Sequence, residues 1–282
     1  MNIVLNVRPS EQAAELRFCR IHQPDMELAL QALEMRVLLY APRGESRHGY
    51  FGTAHIIDLV WDRRDPRFLI LILSKVQLFD RPVAPSMIQD RGAQGYEFYR
   101  YSPGIRAISG DALAQIRSHM TGDVGLQSGL SEHGQQPFTA IASEERKLEK
   151  REVMIRAKRL RLEVLREYGN GCCVTGLLLG PIDGWRQEVE VCHIRSVASG
   201  GPDDIRNAFP AIRSVHWSFD LGLFTIRPSR KILFRADASA DLKWLFRGKT
   251  HARFPKDESA RPKTEYLDFH YENVFNKGAA AS

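Results

Sequence analysis

The sequence predicts an α+β protein of two domains, and three observations predict it. Its 282 residues are long for one hydrophobic core and comfortable for two. Residues 36–80 carry short apolar runs separated by turn chemistry, whereas residues 143–168 carry one long helical pattern. Between these regions, residues 121–142 (TGDVGLQSGLSEHGQQPFTAIA) are rich in Gly, Ser and Gln and lack periodicity, which marks a linker. A hydrophobic content of 43% with 26% charged residues is ordinary for a globular chain and excludes wholesale disorder.

The runs RVLLYA, YFGTAHIIDLVW and RFLILILSKVQLF are rich in Val, Ile, Leu and aromatics and are bounded by PRGESRHG and DRRDP, so they read as strands. The two prolines of DRPVAPS are expected to stop the pattern. SGDALAQIRSHM (109–120) reads as a short helix with Ser109 or Asp111 as its N-cap. Residues 1–120 are therefore expected to form one α+β or small-barrel domain. Residues 143–168 are expected to form a long helix capped by Ser143, with Leu148, Ile155, Leu162 and Leu165 as its apolar stripe. Nine Lys/Arg against six Glu make the rest of that helix basic. Such a surface is either a solvated face with i,i+4 pairs or a face that meets DNA phosphates, for which Lys147, Arg156 and Arg159 are candidates, with Arg195 further along. FPAIRSVHWSFD is expected to be helical in its second half, LGLFTIRPSRKILFRA to be a hairpin, and the tail to end in a short helix.

No apolar run approaches the ~20 residues that span a bilayer, and MNIVLNVRPSEQ lacks a signal-peptide pattern. Adjacent Cys172 and Cys173, with Cys19 and Cys192, make a poor disulfide scaffold, and there is no CxxC pair. The chain thus reads as a soluble, cytoplasmic protein with reduced cysteines. Its net charge of +6 and pI near 9.2 suit a polyanionic partner without requiring one.

The densest chemistry lies in EVEVCHIRSVASGGPDDIRNAFPAIRSVHWSFDLGLFTI, residues 188–226. Hydrolysis of a phosphodiester needs a base for water, neutralisation of charge on the phosphate, and stabilisation of the leaving oxygen. One histidine and one divalent metal can supply all three. EVEVCHI is a strand-like run ending in His193. Asn207 follows after fourteen residues, His216 nine further on, and Asp220 four beyond that. The last spacing is one helical turn, so His216 and Asp220 can face the same ion.

His193, Asn207 and His216 match the His–Asn–His signature of HNH endonucleases, the ββα-metal nucleases. CCVTGLLL resembles the opening of HNH domains in restriction enzymes, HWSFDLGLFTI resembles their close, and FHYENVF is similar to their ending. The resemblance covers roughly residues 150–235 and implies a ββα-metal domain within 143–282. It implies His193 as general base, Asn207 as the residue that ties the loop and helps orient His193, and His216 and Asp220 as ligands of one divalent ion (Mg²⁺, Mn²⁺, Co²⁺, Ni²⁺ or Zn²⁺). The family often has Asp or His just before the base, and this chain has Cys192. A thiolate there would favour a softer ion; otherwise Cys192 is a small buried residue and water fills its place. The implied reaction is cleavage of double-stranded DNA to 5′-phosphate and 3′-hydroxyl ends. One such site cuts one strand, so a double-strand break implies a homodimer or sequential nicking.

YFGTAHIIDLVWD, FLILILSKVQLFDRPV and YRYSPGIRAISGDALAQI resemble a PUA-superfamily β-barrel of the EVE or ASCH type. In restriction enzymes such domains precede HNH domains and are thought to bind modified bases. The resemblance implies a modified cytosine flipped into an aromatic pocket, for which Trp61, Tyr50 and Phe79 are candidates unless they are core. The expectation is a modification-dependent restriction enzyme. Its rivals are a PUA-like reader with a degenerate HNH module and a non-specific DNA nuclease.

Overall fold

The computed structural model describes residues 2–7, 16–42, 45, 47–89, 104–120, 140–179 and 188–277. The chain divides into two compact units, Met1–Arg151 and Glu152–Ser282. Most of the expected linker, residues 121–139, lies outside the described residues.

The first unit is built on one six-stranded sheet of order β2-β5-β4-β3-β1-β6. Its strands are β1 (Asn2–Asn6), β2 (Phe18–His22), β3 (Arg36–Ala41), β4 (Gly49–Trp61), β5 (Phe68–Val83) and β6 (Gly104–Ile108). All neighbours are antiparallel except β1 and β3, which run parallel with Val4 opposite Leu38. The β4–β5 ladder shifts register at three places and the β3–β4 ladder at one. Such bulges bend a sheet and increase its twist. The sheet curls into a half-barrel whose two edge strands, β2 and β6, come into contact. β5 continues through Pro82 to Val83, past the expected stop. Pro82 falls where the register jumps between the pairs Gly52–Leu78 and Tyr50–Val83, so its missing N–H interrupts no regular ladder.

Two short helices belong to this unit, α1 (Met26–Gln31) and α2 (Gly110–Ser118). Ser109, one of the two expected caps, accepts from the Ala112 N–H at 3.0 Å. α2 buries Ala112 and Ile116 in a core with Val4, Leu38, Tyr40, Tyr50, Phe79, Val83 and Ile88.

Helix α3 runs from Ala140 to Tyr168, starting three residues before the expected cap Ser143, which is therefore inside the helix. Its stripe is also narrower than the seven-residue spacing suggests. Leu148 is 61% exposed, whereas Leu160, Leu162, Val164, Leu165 and Tyr168 are buried. Heptad spacing shows which residues share a face, not whether anything covers that face.

The second unit contains the strand pair β7 (Glu190–His193) and β8 (Ala208–Ala211), helix α4 (Arg213–Asp220) and the hairpin β9 (Phe224–Ile226) and β10 (Ile232–Phe234). Helices α5 (Ala240–Leu245) and α6 (Thr264–His270) follow. CVTG forms a buried turn. The Gly176 N–H donates to the Cys172 carbonyl, and the Cys173 N–H donates to the Pro210 carbonyl. All four cysteines are free and buried. Under α4, Phe219 stacks on His270 at 3.6 Å and meets Phe209 edge-on at 5.0 Å; Phe224 packs on Phe246 at 5.0 Å. This aromatic core fixes the helix that carries the candidate ligands.

Candidate active site

The site is a strand, a loop, a strand and a helix. β7 and β8 pair antiparallel with His193 opposite Ala208, Cys192 opposite Phe209 and Glu190 opposite Ala211. The chain then enters α4, which buries Val215, Ser218 and Phe219, an i, i+3, i+4 set. That leaves His216 and Asp220 on a neighbouring stripe, half-buried and exposed respectively. α4 ends in a Schellman motif: the Gly222 N–H donates to the Phe219 carbonyl at 2.8 Å and the Leu223 N–H to the Ser218 carbonyl at 3.0 Å. Gly222 has φ +66°, and a Cβ there would lie 2.7 Å from the Val274 carbonyl oxygen, which explains the glycine of FDLG.

Ligand atoms of Cys192, His216 and Asp220 all lie within 4.8 Å of one another. His216 Nε2 is 3.5 Å from Asp220 Oδ2, and its Nδ1 is 3.1 Å from Glu190 Oε2. Glu190 also accepts from Arg213 Nε at 3.0 Å. With the proton on Nδ1, donated to the accepting Glu190 carboxylate, the Nε2 lone pair is left on the side of Asp220 for a cation to fill. This is the arrangement in which an imidazole serves as a metal ligand while its second nitrogen is held by a carboxylate.

Electrostatics mark the same spot. Burial raises the Asp220 carboxyl, against the opposing pull of His216 and then His193. Asp220 also stands in the last turn of α4, where the helix dipole disfavours negative charge. A carboxylate held where both effects oppose its ionisation suits a site that receives a cation. Burial pushes the Cys192 thiol well up, helped by Asp220, Cys173, Cys172 and Glu190. For Glu190, burial alone would raise the carboxyl; hydrogen bonds from His216 and Arg213 outweigh it and leave it lowered.

Asn207 is fully buried. Its Oδ1 accepts from the Arg195 N–H at 2.9 Å, and its Nδ2 donates to the carbonyls of Arg195 and Pro202, each at 2.9 Å. Its side chain ties the loop and makes no hydrogen bond to His193. The group on His193 is Asp203, whose Oδ1 is 3.0 Å from Nε2. Sequence reasoning missed both Glu190 and Asp203. Alternation along EVEVC puts Glu190 on the same strand face as Cys192, which was a usable signal. Asp203 had none, because its contact crosses ten residues of loop.

The other candidates are scattered. Arg156 is exposed and Arg159 half-buried on α3, while the side chain of Lys147 lies outside the described residues. Arg195 donates from Nε to the Ser199 carbonyl at 2.8 Å, and its guanidinium lies 4.6 Å over the Phe269 ring. Tyr50, Phe79 and Trp61 are buried at 0%, 1% and 8% exposure. Tyr50 accepts from Arg106 Nη2 at 3.0 Å and meets Tyr40 edge-on, so in this structure it and Phe79 belong to the core rather than to an open pocket.

Residues 172–227 match the family described as HNH endonuclease. No curated protein matches the chain. Among solved structures, the chain is similar to the modification-dependent TagI restriction endonuclease, at 15% identity and a TM-score of 0.34. That match covers 88% of this chain and 64% of the other, so the chain spans less than two thirds of that protein. An ASCH structure from Zymomonas mobilis aligns at 15% identity and a TM-score of 0.29, over 43% of this chain and 96% of that one. The type IV phosphorothioation-dependent restriction endonuclease ScoMcrA aligns at 15% identity and a TM-score of 0.20, over 78% of this chain and 41% of that one. Among the described residues, no helix is long and apolar enough to cross a membrane.

Proposed function

We propose that this chain is a divalent-metal-dependent HNH endonuclease that hydrolyses phosphodiesters in double-stranded DNA, restricting DNA that carries modified cytosine. One observation carries the nuclease reading: sulfur, nitrogen and oxygen donors converge within 4.8 Å on a strand–strand–helix unit, with His193 next to one of them on the strand. The donor set suits a cation, because His216 is already oriented by Glu190 with Nε2 toward Asp220. Cys192, His216 and Asp220 would hold one ion. When bound, the ion supplies charge neutralisation at the phosphate and at the leaving oxygen. Its sulfur donor favours Zn²⁺, Co²⁺ or Ni²⁺ over Mg²⁺.

His193 takes a proton from water, the water oxygen bonds to phosphorus, and the bond from phosphorus to the 3′ oxygen breaks. The leaving oxygen then takes a proton from solvent. Asn207 keeps the loop beyond His193 closed. Residues 1–120 read the modified base, 121–142 link, and 143–282 cut; a homodimer places two sites on two strands.

Plasmids with normal, 5-methyl or 5-hydroxymethyl cytosine, incubated with Mg²⁺, Mn²⁺, Co²⁺, Ni²⁺ or Zn²⁺ beside a His193→Ala control, test the reading. Metal-dependent cutting of modified plasmids alone, absent in the control, is expected. Equal cutting of all plasmids leaves a non-specific nuclease, and no cutting leaves a binding module. His216→Ala and Asp220→Ala should lose cleavage and metal affinity together; full activity in either overturns the ligand assignment. Light scattering should show a dimer with DNA, and a single monomer mass argues against it.

A further inference from the structure

The geometry points to Asp203 as the positioning residue of His193: its carboxylate holds the proton on Nε2 and so directs the bare Nδ1 lone pair at water. The inference rests on the reading of His193 as base, and deepens it.

A surface histidine beside a surface aspartate is ordinarily worth little, so the case depends on how the aspartate is held. His193 is 26% and Asp203 44% exposed, with Nε2 and Oδ1 3.0 Å apart. Asp203 lies between two anchored residues. On one side, the Pro202 carbonyl accepts from the buried Asn207 amide at 2.9 Å. On the other, the Asp204 carboxylate accepts from the Arg206 N–H at 2.8 Å and from the Arg206 guanidinium at 2.6 Å and 3.1 Å. Gly201, two residues earlier, leaves no room for a side chain: a Cβ would lie 1.9 Å from the Arg195 carbonyl oxygen and 2.8 Å from Asn207 Nδ2. The loop cannot swing without breaking these contacts. Asn207 therefore acts on His193 at one remove, by fixing the segment that presents Asp203.

A neutral imidazole has one N–H, and a carboxylate can only accept. The pairing fixes the hydrogen on Nε2 and leaves Nδ1 as the basic nitrogen, which has no partner among the described residues. The pair borders an open cavity of about 320 Å³ that Ala157, Leu160, Arg161, Val189, Glu190 and Val191 also line.

The test has a spectroscopic arm and a kinetic arm, both on the full chain. In the metal-free protein at alkaline pH, long-range ¹H–¹⁵N spectra of labelled histidine should show His193 as the Nε2–H tautomer. Asp203→Ala should give a tautomer mixture, and Asp203→Glu should restore the wild-type form in part. In plasmid nicking, Asp203→Ala should lower kcat by roughly 10- to 100-fold, within what a positioned base contributes, with little change in KM. The same substitution in a His193→Ala background should change nothing, which a merely structural role would not produce. A wild-type protein that cuts no DNA overturns the nuclease reading and the positioning role with it. A cutting enzyme whose His193 tautomer and kcat ignore Asp203→Ala overturns the Asp203 assignment alone.

Discussion

Glu190 serves His216 much as Asp203 serves His193, and the two carboxylates separate the roles of the two histidines. The Glu190 bond at 3.1 Å is to Nδ1 of His216, which frees Nε2 for Asp220 and a metal; the Asp203 bond at 3.0 Å is to Nε2 of His193, which frees Nδ1. Opposite nitrogens are held, so in the proposed mechanism opposite nitrogens do the chemistry. Glu190→Gln should weaken metal binding by roughly 10- to 100-fold, as losses of such outer partners do, measured by calorimetry with Mn²⁺ or Zn²⁺. A third histidine is structural. His270 is 2% exposed, accepts at Nδ1 from the Thr225 hydroxyl at 2.9 Å and donates from Nε2 to the Phe219 carbonyl at 3.0 Å. Burial lowers its pKa from 6.5 to about 4. Between those values the unfolded chain binds a proton that the folded chain refuses, so this stabilisation is full above pH 6.5 and is lost as pH falls toward 4. The span corresponds to something on the order of 3 kcal/mol. Urea midpoints at pH 7.5 and 5 should differ in the wild type, and His270→Phe, weaker at neutral pH, should show a smaller difference.

At the scale of elements, β7 and α4, which carry His193 and the candidate ligands, were legible in the sequence, whereas the short strand β8 was not. Period and turn chemistry gave β3, β4, the β9–β10 hairpin and α4, and the spacing of His216 and Asp220 placed both on one turn. What was not legible depends on tertiary covering. β1 and β2 are five-residue strands too short to carry a pattern of their own, and they exist because the curled sheet supplies their partners. Leu148 sits on the same heptad as Leu162 yet is exposed, because among the described residues of α3 burial falls in the last turns. Tyr50 and Phe79, open in the sequence between a pocket and the core, are core, since an aromatic run does not reveal which side of a sheet is filled. On α3, Arg156 is exposed and available to a phosphate. Arg156→Glu should weaken DNA binding evenly across sequences and reduce the slope of log K against log salt by about one.

Over the whole molecule, a formal charge of +6 is modest, so on the proposed function affinity for DNA has to come from where the charge sits. What suggested two regions in the sequence was the contrast between the short apolar runs of residues 36–80 and the single long helical pattern of residues 143–168. The role of Asp203 was not readable, because a loop contact leaves no period in sequence.

The loop from Arg195 to Asn207 has a consequence for exchange with solvent. Much of it is exposed, and exposed loops ordinarily trade amide hydrogens quickly. Here the amides of Arg195, Ser199, Gly200, Gly201, Arg206 and Asn207 are all donors to protein oxygens. In deuterium exchange this segment should be protected like a strand, opening as one block. Gly201→Ala should cost about 2–3 kcal/mol, seen as a lower Tm, and release the whole block at once. Protection that survives that substitution would mean the loop is held in pieces. A binding site whose most exposed segment is among its slowest to exchange meets its ligand already in shape, and spends little of the binding free energy on ordering itself.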